Sequence, residues 1–132
     1  MPFITPLEVM LLDDRNQFPW ITLEPLVYES ELTGQTYTVP RNFRTDGSSV
    51  PKAIMAIPII GQALALRYFG QGVWQGFKQG VLHDYLRRAD LYGGTFVSAH
   101  IAHKVFREAL YAGGYPEDLC ETYYRAVVAF NS

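Results

Sequence analysis

His83 and Asp84 stand side by side in a stretch whose apolar residues repeat with helical spacing, and they are the residues best suited to chemistry in this chain. Neighbours on a helix point about 100° apart, so both can border one cleft without touching each other. An imidazole can act as a general base or a metal ligand. The carboxylate beside it can hold a cation or orient a neighbour. The plain alternative pairs Asp84 with Arg88 four residues on and leaves His83 in the core with one hydrogen bond. Val81, Leu82, Tyr85 and Leu86 make the surroundings very apolar, so either polar group needs a partner there.

A second candidate is Thr45-Asp46-Gly47-Ser48-Ser49-Val50-Pro51. Asp46 before Gly47 can be an ordinary turn, its side chain bonded to its own backbone. It can equally be an aimed carboxylate, with Ser48 or Ser49 capping the next helix or facing a bound molecule. His100 and His103 form a third group, three residues apart on one helix. His103 is in line with Phe106 and Leu110 and faces inward, whereas His100 faces solvent. Together, His83 and His103 on neighbouring helices with Asp46 and Asp84 beside them would suit a divalent metal, zinc before calcium. In that arrangement His83, Asp84 and Asp46 are the candidate catalytic groups, and Ser48 and Ser49 the candidate ligand-binding groups. The chain has no P-loop, G-x-G-x-x-G, H-E-x-x-H or G-x-S-x-G pattern, so a nucleotide cofactor is not expected.

These residues need elements to hold them. The chain has 132 residues, 48% of them hydrophobic and 18% charged, which suits one globular domain spanning 1–132. A net charge of −2 with scattered basic residues gives no reason to expect nucleic-acid binding. Cys120 is the only cysteine and cannot bridge internally; a buried, reduced thiol is expected. The N-terminus lacks a basic start and a long apolar run, so no secretion signal is expected. Pro58, Gly61 and Gln62 break the apolar stretch from Ala53 to Leu66, which is too short to span a bilayer.

Strand signals come first: Leu7 to Leu12, closed by Asp13-Asp14; Leu23 to Tyr28, where Pro25 argues for an edge; and Gln35 to Val39 after a turn at Thr33-Gly34. Residues 41–51 read as a loop, followed by a short helix from Pro51 to about Pro58. From about Val73 the pattern turns helical, with Val73, Phe77, Val81 and Tyr85 spaced by four. A further helix is expected from Phe96 to Tyr111, closed by Gly113-Gly114, and a last one from Pro116 to Phe130, with Glu117 and Asp118 at its start. The fold class is α+β: small antiparallel hairpins packed on a C-terminal bundle of three to four helices.

The run from Thr38 to Pro51, T-V-P-R-N-F-R-T-D-G-S-S-V-P, resembles the signature of the DUF1353 family, uncharacterised proteins common in phages and prophages. V-L-H-D-Y-L at 81–86, A-H-K-V-F-R-E-A-L at 102–110 and Y-R-A-V at 124–127 follow in the family's order. His103 stands where that pattern usually has Asp, which keeps a metal ligand or proton acceptor and removes a fixed negative charge. A more distant likeness links the His-Asp helix to phospholipase A2. It implies His83 as base, Asp84 as calcium ligand and residue 103 as the group that orients His83. The glycine-rich, disulfide-bonded calcium loop of that enzyme is missing. Two functions from different classes fit these residues. One is a small phage-type hydrolase in which Asp46, His83, Asp84 and His103 gather around one cleft and a metal-activated water, or a water activated by His83, attacks an ester, amide or phosphate bond. The other is a non-enzymatic virion or assembly component, partnered by other phage structural proteins, in which the same residues form a structural polar network. Both place the protein in the host cytoplasm or the virion.

Overall fold

A computed structural model describes residues 2–12, 18, 20–45 and 76–130. The short helix expected after Pro51 lies outside these residues. Among the described residues the first half holds five short strands: β1 (Val9–Leu11), β2 (Trp20–Thr22), β3 (Leu26–Glu29), β4 (Thr36–Val39) and β5 (Arg44–Thr45). The second half holds α1 (Phe77–Arg88), a 3-10 turn (Ala89–Tyr92), α2 (Ala99–Ala112) and α3 (Glu117–Phe130). Strands first and helices after give the expected α+β architecture.

The strands make two antiparallel sheets, β1-β2-β5 and the hairpin β3-β4. In the hairpin Leu26 faces Val39 and Tyr28 faces Tyr37. The outer side of β3 is covered by the N-terminal segment, where Ile4 N donates to Val27 O at 2.9 Å and Glu29 N donates to Pro2 O. Neither β2 nor β5 follows from strand periodicity, because they are three and two residues long. What creates them is a buried hydroxyl. Thr22 Oγ1 donates to Pro40 O at 2.7 Å and accepts from Phe43 N at 2.9 Å. Asn42, at φ 66°, turns the chain so that Arg44–Thr45 can lie along β2. The stretch from 41, read as a continuous loop, therefore contains a two-residue strand at Arg44–Thr45.

Helix boundaries are set by their caps. α1 begins at Phe77, because Gly76 has φ 87° and cannot continue a right-handed helix backwards. Ser98 is extended, and its hydroxyl accepts from Ile101 N, which starts α2 three residues later than Phe96. At the other end Gly114 N donates to Tyr111 O and Tyr115 N to Leu110 O, the Schellman pattern that Gly113-Gly114 led us to expect.

One apolar cluster joins Leu26, Tyr28, Val39 and Phe43 of the strand half to Val81, Leu82 and Leu86 of α1 and Val105 of α2. A second joins Phe106 and Leu110 of α2 to Leu119, Cys120, Tyr123 and Val127 of α3. Fully burying each large side chain contributes roughly 1.5–3 kcal/mol. Cys120 is buried and free, as its type suggested. Tyr28 adds a polar tie: its hydroxyl donates to Glu108 Oε1 at 2.6 Å, and Leu32 N donates to the other carboxylate oxygen. No helix among the described residues is long and apolar enough to cross a membrane.

Candidate functional site

α1 sends its two chemical residues to different neighbours. Gln79 and His83, four apart, face α2; Asp84 and Arg88, also four apart, face β5. The divergence of adjacent side chains on a helix is the cause.

Toward β5, Asp84 is fully engaged. Thr45 Oγ1 donates to its Oδ2 at 2.7 Å, and Arg88 donates through Nε to Oδ1 at 3.1 Å and through Nη2 to Oδ2 at 3.0 Å. The Arg88 Nη2 also donates to the Arg44 carbonyl. Arg88 Cζ lies over the Phe18 ring at 4.3 Å from its centroid and over the Phe43 ring at 4.6 Å. A two-pronged, stacked arginine of this kind fixes a carboxylate more firmly than a surface pair would. The i, i+4 pairing of Asp84 with Arg88 is thus present, extended by Thr45 into a clasp between β5 and α1. No hydrogen bond joins Asp84 to His83 or His103.

Toward α2, His83 meets His103. Nε2 of His83 lies 2.9 Å from Nδ1 of His103, and the ring centroids are 5.1 Å apart. Phe106 packs on His83 from one side, at 5.0 Å. Both imidazoles are buried, at 4% and 3% exposure, whereas His100 faces solvent. Burial, then the nearby His103 and Arg87, pushes His83 down to about 3. Burial, then Arg87 and His100, lowers His103 too. At neutral pH both rings are therefore uncharged, and one donates its proton to the other.

The pair carries polar groups beyond that bond. Among the described residues His103 Nε2 is buried with no hydrogen-bond partner, and so is Gln79 Oε1. Gln79 is 5% exposed, and its Nε2 reaches Ala109 O only at 3.5 Å. Sequence reading passed over Gln79. Its place one turn before His83, in an otherwise apolar stripe, was the available signal. A polar seam of Gln79, His83 and His103 thus runs between α1 and α2.

Two neutral imidazoles with converging nitrogens have the chemistry of a partial metal site. With bonds near 2.0–2.1 Å, two nitrogens on one tetrahedral zinc stand roughly 3.3 Å apart, a small opening from the distance here. Among the described residues no group of three or more His, Cys, Asp or Glu side chains gathers to hold a metal. Of the expected set, His83 and His103 come together and Asp84 points elsewhere. Asp46, Ser48 and Ser49 lie outside the described residues, and Thr45 is the last described residue before them.

The model of the DUF1353 family, described as a protein of unknown function, matches residues 20–127. No curated protein and no solved structure matches the chain significantly.

Proposed function

The chain belongs to the DUF1353 family, and on that premise we propose that it is a metal-dependent hydrolase of phage type built on the α1–α2 seam. In this reading His83 Nε2 and His103 Nδ1 ligate a divalent transition metal, and Asp46, next to the anchored Thr45, supplies a carboxylate ligand. The observation that carries it is the 2.9 Å approach of two buried, uncharged imidazole nitrogens. An imidazole held near pKa 3 is a poor general base at neutral pH, yet it offers a lone pair at any physiological pH. Ligation suits these rings better than the water-activating role that the phospholipase likeness implies for His83.

A metal held by these residues would supply Lewis-acid activation of water for attack on an ester, amide or phosphate bond. The chain's own residues do the positioning. For ligation His83 carries its proton on Nδ1 and His103 on Nε2, leaving both facing nitrogens free. Asp84 is not a ligand in this account; with Arg88 it holds Thr45, and so sets where Asp46 begins. Ser48 and Ser49 follow on the same segment and serve as substrate-contacting hydroxyls.

One observation favours a second reading, a virion or assembly component without catalysis. Both Asp84 oxygens are already occupied by Thr45 and Arg88, as in a structural tie. Metal titration separates the two. Stoichiometric zinc or cobalt binding that is lost in both His83→Ala and His103→Ala supports the hydrolase. Folded protein that binds neither metal supports the structural component.

A further inference from the structure

A cleft of about 620 Å³ lies between β4 and the segment 94–98 that leads into α2. Its size is that of a ligand site, roughly 300–1,000 Å³. Tyr85, Val97 and Ile101 line it and pack on the core, so its floor is firm. It shares no residue with the seam of Gln79, His83 and His103.

Hydrogen-bond accounting on one wall shows what the cleft can recognise. Thr33 Oγ1 accepts from Gln35 N at 3.2 Å and from the Tyr37 hydroxyl at 3.0 Å. A hydroxyl has one proton and two lone pairs. Both Thr33 lone pairs are taken, so its proton is left to donate. Tyr37 has given its proton to Thr33, so its oxygen is left to accept. The wall thus presents a donor and an acceptor 3.0 Å apart. On the other wall Ser98 Oγ accepts from Ile101 N at 3.3 Å and keeps its proton to donate.

A donor beside an acceptor at this spacing matches a vicinal diol. One ligand hydroxyl accepts from Thr33, and its neighbour donates to Tyr37. A carboxylate would set a lone pair against the Tyr37 oxygen, and an ammonium would set a proton against that of Thr33. Phe96 supplies the other half of the match. It lines the cleft with its side chain 70% exposed, an aromatic face that the core does not use. A sugar ring has hydroxyls on its rim and C–H groups on its face, and the C–H face covers an aromatic ring as other apolar groups do.

We propose that this cleft binds a pyranose sugar, free or as a unit of a glycan chain. Its vicinal diol bonds Thr33 and Tyr37, and its C–H face rests on Phe96.

The test titrates the full chain with methyl β-D-glucopyranoside, methyl α-D-mannopyranoside and cellotetraose, read by amide proton and nitrogen chemical shifts. At least one probe should shift the amides of Thr33, Tyr37 and Phe96, with a Kd of about 1 mM. Tighter binding of cellotetraose than of the glucoside supports the chain form, and equal binding supports the free sugar. Phe96→Ala changes an exposed position, and Tyr37→Phe keeps the ring while removing the accepting oxygen. Each should weaken binding roughly fivefold. If Tyr37→Phe fails to fold, Phe96→Ala alone decides. Tetrahydropyran has the ring without the diol and should leave these amides unshifted. No shift with any of the three sugars overturns the proposal. So do equal shifts with tetrahydropyran, or sugar binding that Phe96→Ala leaves unchanged.

Discussion

Thr45 and Asp84, 39 residues apart, are joined by a 2.7 Å hydrogen bond that ties the end of β5 to the middle of α1. Around it Arg88 supplies two bonds to the same carboxylate and one to the Arg44 carbonyl. The clasp fixes Thr45, the last described residue of β5, against α1.

Asp84→Ala should therefore destabilise the fold. It leaves the Arg88 guanidinium, 19% exposed, and the buried Thr45 hydroxyl without their main acceptor. The expected cost is about 2–3 kcal/mol, measured by urea denaturation. Metal binding at neutral pH should persist, since Asp84 is not a ligand in the proposed site.

Acid should weaken the protein through His83 and His103. Both have folded pKa values below the usual 6.5, so the unfolded chain takes up protons that the folded chain refuses. The His83 contribution is complete above pH 6.5 and falls as pH drops toward about 3, by roughly 1.4 kcal/mol per pH unit while the ring stays uncharged in the fold, and His103 acts in the same direction. A series of denaturation curves between pH 7 and 4 should show this slope. His83→Phe, which removes one titrating group, should flatten it.

Alkali should act through Tyr28. Burial, then the hydrogen bond to Glu108, raises its phenol well above 10. The unfolded phenol ionises first, so stability should fall as pH rises beyond 10. Tyr28→Phe should cost about 1.5–3 kcal/mol at pH 7, the net value of a hydrogen bond to a carboxylate, and reduce the alkaline decline.

Gly76 should not tolerate a side chain. Its φ is 87°, and an added Cβ would lie 3.2 Å from Leu110 Cδ2 and from Tyr123 Cε2. Gly76→Ala should lower stability by about 1–2 kcal/mol through backbone strain and crowding at the start of α1.

The helices were legible because their signals are local and repeated: four-residue spacing along 77–86, the inward stripe of Val105, Phe106 and Leu110, and the glycine pair after Ala112. β4 was legible from alternation at Thr36–Val39. β2 and β5 were not, because they are three and two residues long and are tied by Thr22 Oγ1 reaching Pro40 and Phe43 about twenty residues on, rather than by a pattern. The candidate site divides in the same way. His103 lies on an apolar helix stripe, so its inward direction could be read. Whether Asp84 turns to His103 or to Thr45 depends on where β5 lies, which spacing does not encode.

The most direct measurement is zinc titration of the metal-stripped full chain at pH 7, followed by calorimetry, beside His103→Ala. A metal held by His83 and His103 requires about one equivalent bound by the native protein, raised thermal stability on loading, and loss of both in a folded His103→Ala variant. A native protein that binds no zinc or cobalt, or a His103→Ala variant that binds as well as the parent, would contradict it.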